Sequence, residues 1–515
     1  MRAQTLPAPT RGWIANENLA MAQPAGAQVL DNWFPTSTSA RVRGGSTKYA
    51  TVSSGPVLRM WTFKDGDTEQ FFASDEENIF PITTIADPDV APTADVTGQT
   101  SGYYSTFQIG TAGGNYLYAL NGTDDAQLYD GSTWTAINTL SSPAITGVAT
   151  AALSFGWSFA SRAFFVEKDT MNAWFLPVDS IGGAAQSFSL AGIFQEGGAL
   201  LFGGKWSLDS GDGLDDKCVF VSNRGEVAVY EGTDPTSGTD WRKVGVYKIT
   251  PPLGFNGTMQ AGGDLAIATE DGIVPLSEAV KKDVAALSLS AVTRNIEPEW
   301  KREVTARRTL PWEIIKWSAN NMMVVSLPVP DDGIDPYCFV ANLETGAWCR
   351  FTEWNTRSLA VYSDRGYFGT NDGKIYEMER GGTDDGAPYT CTYVGLPEHL
   401  GAPGATKTVK MARAIFLSSV PFNPKISASV DYSISLPTAP SSVADFTTDE
   451  WDSGLWDVAQ WDAGTTTSVS SRWVAIDKTG FSLSPQIQIT CGVTPFPRTE
   501  LVAYDLTYEM GGVLV

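Results

Sequence analysis

Residues 218–232 read CVFVSNRGEVAVYEG. An apolar run, a polar turn ending in Arg-Gly and a second apolar run form a β-hairpin signature. The glycine supplies the positive φ of a tight turn, and the flanking runs have strand rather than helix length. The pattern recurs as QFFASDEENIFPIT (70–83), YLYALNGTDDAQLYD (116–130), AFFVEKDTMNAWFLPV (163–178), LAIATEDGIVPLSE (265–278), MMVVSLPVPDDGIDPYCFVANLE (322–344) and GYFGTNDGKIYEMERG (366–381). The copies lie roughly 40 to 55 residues apart, more than a hairpin needs. An apolar strand often precedes the hairpin (VLRMWTF, 57–63; ALLFGGKW, 199–206; SLAVYS, 358–363), and a strand with Trp or Phe often follows it (STWTAI, 132–137; DWRKVGVYKI, 240–249; GAWCRFTEW, 346–354). Three or four antiparallel strands per repeat at this period describe a propeller blade.

The expected fold is therefore all-β, with a β-propeller of six or seven blades over 55–383. The blade count stays open because the fifth unit lacks an outer strand. In its place SEAVKKDVAALSLSAVTRNI (277–296) puts Val280, Val284 and Leu287 on one helical face, which predicts an inserted helix. After residue 384 the character changes, and alternating strands such as FSLSPQIQITCGV (481–493) and ELVAYDLTYEMGGV (500–513) predict a C-terminal β-sandwich-like domain over 384–515. Trp451, Trp456 and Trp461 recur every five residues, a period of neither strand nor helix, so they belong to a loop. They either plug the sandwich edge or form a contact surface.

Residues 1–54 read as an extended N-terminal arm. Pro7, Pro9, Pro24 and Pro35 forbid a long helix. Trp33 and Phe34 require a packing surface, while Arg41, Arg43 and Lys48 concentrate positive charge. Two readings stand: a strand that closes the propeller, or an arm whose Trp33, Phe34, Arg41 and Arg43 dock on a neighbouring subunit or adaptor.

The 515 residues carry a formal charge of −23, which disfavours adhesive contact with nucleic acid. The start lacks the apolar core of a secretory signal, and the most apolar run, 145–160, is short and interrupted, so a cytoplasmic protein with no membrane anchor is expected. Cys218, Cys338, Cys349, Cys391 and Cys491 lack zinc or CxxC spacing and read as buried thiols. His399 is the only histidine and lies in GLPEHLGAP, a loop context, so a histidine-dependent nucleophile has little to draw on. The acidic stretches DSGDGLDD (209–216), PDDGID (330–335) and TDDGAP (383–388) do not follow a calcium-loop order. No cofactor or metal site is expected, and the chain reads as a non-enzyme.

The run AGAQVLDNWFPTSTSARVRGGSTKYA (25–50), with NWFP followed by R-x-R-G-G, resembles the N-terminus of the tail nozzle proteins of short-tailed phages, also called tail tubular protein B or tail hub proteins. The similarity continues in DGIVPLSEAVKKD, in the blade end DGKIYEME (372–379), in the tryptophan-rich stretch and in the terminal YEMGGV. It implies a structural propeller protein of the virion tail, assembled in the host cytoplasm as a homohexameric ring beneath the adaptor and portal. The implied partners are the adaptor, tailspike, fibre or needle proteins, and double-stranded DNA that passes without specific binding. A bore that does not hold DNA would draw on acidic turns, for which Asp209, Asp212, Asp215, Asp216, Asp331 and Asp332 are candidates. A carbohydrate-binding or glycan-degrading propeller is the alternative, prompted by the tryptophans and abundant carboxylates.

Overall fold

The computed structural model describes residues 1–16, 18–19, 23–207, 216–328, 336–419, 422–442 and 468–513. Seven antiparallel groups of three or four strands follow one another along the chain, six as separate sheets and one within a larger sheet. Blade one starts with Arg59–Asp65, blade two with Ser105–Thr111, blade three with Leu153–Phe159 and blade four with Leu200–Trp206. Blades five, six and seven start with Thr258–Ala261, Glu313–Trp317 and Ser358–Tyr362. Each first strand is its sheet's inner edge and packs against the neighbouring blades, and the first strand of blade seven meets that of blade one. The ring thus closes as a seven-bladed β-propeller.

Glycine turns and alternating burial make the blades. In blade four, Lys217–Ser222 pairs with Glu226–Glu231 across Gly225 at φ 85°, and its buried Val and Phe side chains meet both neighbouring blades. Blade five has three strands, ending at Gly272–Pro275.

The helix expected over 277–296 is not continuous. Leu276–Ala279 and Val284–Leu287 are single turns, separated because Asp283 caps the second by accepting from the Ala285 amide. The longest helix among the described residues is instead Glu297–Arg307, which begins with Pro298 in its first turn. It buries Trp300, Glu303, Val304 and Arg307.

Residues 1–54 are not a separate arm. Ser46–Thr51 is the fourth, outermost strand of blade seven, paired with Lys374–Met378. Ala27–Asp31 lies between the outer strand of blade six, Trp348–Thr352, and Tyr389–Gly395 of the C-terminal domain, so one sheet runs from the propeller into that domain through Leu483–Cys491 to Lys425–Val430. A second sheet joins Arg2–Pro7, Trp33–Pro35 and Ala40–Val42 to the long strands Ala405–Ser418 and Thr499–Val513. The two sheets face each other as a sandwich. Leu30, Tyr393, Ile487 and Ile426 from one share a core with Val409, Phe416, Tyr504 and Leu506 from the other, and the Tyr504 hydroxyl donates to the Ser427 carbonyl at 2.8 Å.

Candidate functional site

The sequence motifs NWFP, RVRGG and GKIYEME meet where the propeller joins the sandwich. Asn32 adopts φ 61°, a backbone region Asn tolerates better than most residues. Its amide donates to Thr352 Oγ1 at 2.7 Å and to the Thr390 carbonyl at 2.8 Å. Its oxygen accepts from Arg43 Nε at 2.7 Å and from the Thr352 amide at 2.9 Å. Asn32 therefore ties blade six, the arm and the sandwich at one point.

Arg43 is fully buried. Its guanidinium forks onto Asp384 at 3.0 and 2.6 Å and also donates to the Gly44 and Thr352 carbonyls. The plane lies 3.9 Å from the Tyr389 ring centre and 4.7 Å from that of Trp354. Burial favours the neutral form, but Asp384 outweighs it and holds the Arg43 pKa above its ordinary value. Arg41 lies over Phe34 and pairs with Glu379 at 2.8 Å. The double glycine has a steric reason: a Cβ on Gly44 would stand 2.5 Å from the Phe496 ring, and one on Gly45 would stand 1.9 Å from the Thr383 carbonyl.

These contacts correct the docking expectation. Trp33, Phe34 and Arg43 pack inside their own chain, and Arg41 keeps a modest exposure of 20%. A hydrophobic strand between two sheets gains more by burial at home than it could retain as a free arm. The closing-strand reading fits Ser46–Thr51. Sequence reasoning missed Asn32, Asp384, Asp31 and Arg350, the last two forming a bidentate pair at 2.7 and 3.0 Å; single polar residues carry no periodic signal.

The propeller axis is occupied by side chains. Arg59, on the first strand of blade one, pairs with Glu313, on the first strand of blade six, and Glu313 also accepts from the Leu359 amide of blade seven at 3.1 Å. Burial raises the Glu313 pKa above the ordinary carboxylate value, while Arg59 acts against that rise. Phe155, Phe255 and Asn256 join this pair around a cavity of about 250 Å³. Toward the opposite mouth a larger cavity, about 640 Å³, is lined by Phe107, Gln108, Trp157, Gly203 and Gln260. Trp157 is buried there, its ring against Gly203 and stacked with Phe164. Gln108 and Gln260 spend their amides on backbone carbonyls of Lys64, Gly262 and Gly263.

Asp216 is half-buried and pairs with Lys205 at 2.9 Å, so its charge is locally balanced. Asp209, Asp212, Asp215, Asp331 and Asp332 lie outside the described residues, as do Trp451, Trp456 and Trp461. His399, placed in a loop context by the sequence, has two partners: the Phe481 carbonyl at 3.3 Å and the Tyr432 hydroxyl at 3.2 Å. All five cysteines are buried and free. Burial pushes the Cys338 thiol up to about 12 and raises Cys218, Cys349 and Cys391, whereas Cys491 is lowered by the hydrogen bond from Cys391. Among the described residues no cluster of His, Cys, Asp and Glu could hold a metal ion, and no helix is long and apolar enough to cross a membrane.

No known family and no curated protein matches this chain. Solved structures similar to it include YCF48 from Cyanidioschyzon merolae (9% identity, TM-score 0.37, covering 65% of this chain and 98% of that one). BBS1N in complex with ARL6DN is 8% identical, with a TM-score of 0.39, over 66% of this chain and 97% of that one. The computationally designed Ika8 protein is 8% identical, with a TM-score of 0.36, over 64% and 99% respectively. At these values the likeness carries no functional argument, and the blade assignment rests on the strand pairing itself.

Proposed function

We propose that this chain is a structural, non-enzymatic virion protein of a short-tailed phage, the tail nozzle subunit whose homohexameric ring lies below the portal and adaptor and forms the distal channel for genome ejection. The supporting observation is the convergence of the motifs that carry the resemblance. NWFP and RVRGG are neighbours in one run and the blade end GKIYEME is remote from them, Arg41 and Glu379 standing 338 positions apart, yet Asn32, Arg43, Gly44, Gly45 and Glu379 meet in one joint between propeller and sandwich. A subunit that bears the pressure of a packaged genome needs such a joint, because it couples two β-domains into one stiff block. The ring contacts the adaptor on one side and tailspike, fibre or needle proteins on the other, and it is assembled in the host cytoplasm. Within this reading DNA runs between the subunits: an axial cavity of about 250 Å³ cannot admit a duplex.

The test is direct. Purified virions of the source phage should contain the protein in the tail, and electron microscopy of the full chain mixed with its adaptor should reveal a six-fold ring stacked on the adaptor. A virion without the protein, or a chain that stays monomeric and ignores the adaptor, overturns the proposal.

A further inference from the structure

At the outer end of the seam lies a cavity of about 470 Å³, lined by Arg41, Asn320, Asn321, Glu379, Phe496 and Arg498. Its walls come from the arm, the turn after the first strand of blade six, the end of blade seven and the loop leading into the last sandwich strand. Three features mark it as built rather than incidental. Glu379 is held at φ 56°, a strained region for a residue with a Cβ. Its side chain is 3% exposed, and only Oε2 is satisfied, by Arg41; Oε1 has no hydrogen-bond partner. Opposite it, the exposed Arg498 guanidinium and the Asn320 and Asn321 amides have no partners among the described residues.

A buried acceptor left without a donor is costly, whereas the donors opposite it are open to solvent and free to take a ligand. A group that brings an N–H for Glu379 Oε1 and a carboxylate for Arg498 engages both sides of the pocket. Sulfate would meet the Glu379 charge with nothing to donate, phosphate would set its own negative charge beside that carboxylate, and a cation would meet Arg41 and Arg498. A peptide with an acidic residue has both parts, its side-chain carboxylate and a backbone N–H. We propose that this pocket binds an acidic peptide segment, with Arg498 as the carboxylate-recognising residue and Glu379 as the acceptor for the peptide's backbone N–H. The inference rests on the chemistry of the pocket and is independent of the tail assignment.

The full-length protein is titrated calorimetrically at low ionic strength with the blocked peptide Gly-Thr-Asp-Asp-Gly and with its amide counterpart Gly-Thr-Asn-Asn-Gly. The acidic peptide should bind and the amide peptide should not. Arg498→Glu should weaken binding by at least about tenfold, the loss expected when a charge-assisted hydrogen bond is replaced by like-charge repulsion. Arg498→Lys should keep part of the affinity. Because Arg498 is exposed, neither variant should lower the melting temperature. Should Arg498→Glu fail to fold, Asn321→Asp carries the same test, since Asp tolerates the left-handed backbone of Asn321 and adds the repelling charge. Absence of heat with the acidic peptide, equal binding of both peptides, or unchanged affinity in the charge variant overturns the proposal.

Discussion

Arg43 and Glu313 are both charged groups withdrawn from water, and their partners differ in how fully they compensate. Arg43 has a fork partner, two carbonyls, an Asn oxygen and aromatic faces, so its burial is matched contact by contact. Arg43→Ala would leave Asp384, with a side chain only 14% exposed, without its counter-charge. We expect it to cost about 3–5 kcal/mol in urea unfolding, with Arg43→Lys losing less but still losing the fork geometry. A neutral result would mean the pair is dispensable. Glu313 is less well served, since burial raises its pKa despite Arg59. The folded state therefore holds the Glu313 proton more tightly than the unfolded chain. Its contribution is fully present below the ordinary carboxylate pKa of 4.5 and is lost as pH rises through the raised value. Relative to Glu313→Gln, which does not titrate, wild-type stability should fall as the pH is raised from about 4 toward neutrality; an upward trend would contradict the assignment of burial as the dominant cause.

Strands were legible where their partners are local. Each hairpin pairs neighbours in sequence, so apolar alternation and a turn glycine were enough to identify seven units, including the absent outer strand of blade five. The longest helix was not legible, because the face Glu297–Arg307 buries is half ionic: Glu303 and Arg307 pair at 2.8 Å inside, and the hydrophobic period disappears. Conversely, Val280, Val284 and Leu287 had the right spacing, but capping by Asp283 interrupted the helix. The N-terminal segment was left between two readings for a third reason. Ser46–Thr51 finds its partner in Lys374–Met378, and Ala27–Asp31 finds its partners at residues 350 and 392–395, separations over which no periodicity carries information. The consequence concerns the whole element. Deleting residues 1–45 removes the strand that bridges blade six to the sandwich, and with it Arg43 and Asn32. It should abolish cooperative unfolding and leave aggregated or protease-sensitive protein. A truncated chain with a sharp thermal transition and intact near-ultraviolet dichroism would mean the joint is not needed for folding.

At the scale of the whole molecule, a formal charge of −23 disfavours adhesive contact with DNA. Several cations are already engaged within the fold: Arg43 with Asp384, Arg59 with Glu313, Arg307 with Glu303, and Arg350 with Asp31. A protein that holds duplex must neutralise several phosphates at once, and its affinity then falls steeply with salt, by roughly 0.9 logarithmic units per phosphate for each tenfold rise in concentration. A wall with few free cations has no such contacts to lose, and a polymer driven past it is not arrested. Screening over roughly 8 Å at physiological salt means that only side chains close to the duplex decide the outcome. The purified protein, alone or in any ring it forms, should accordingly fail to retain duplex DNA in gel-shift or filter assays at both about 50 mM and about 200 mM salt, the range over which a phosphate-binding protein changes affinity most. Tight retention at low salt that collapses at high salt would reveal a cationic surface facing DNA and would contradict a non-adhesive channel, whatever the fold of its wall.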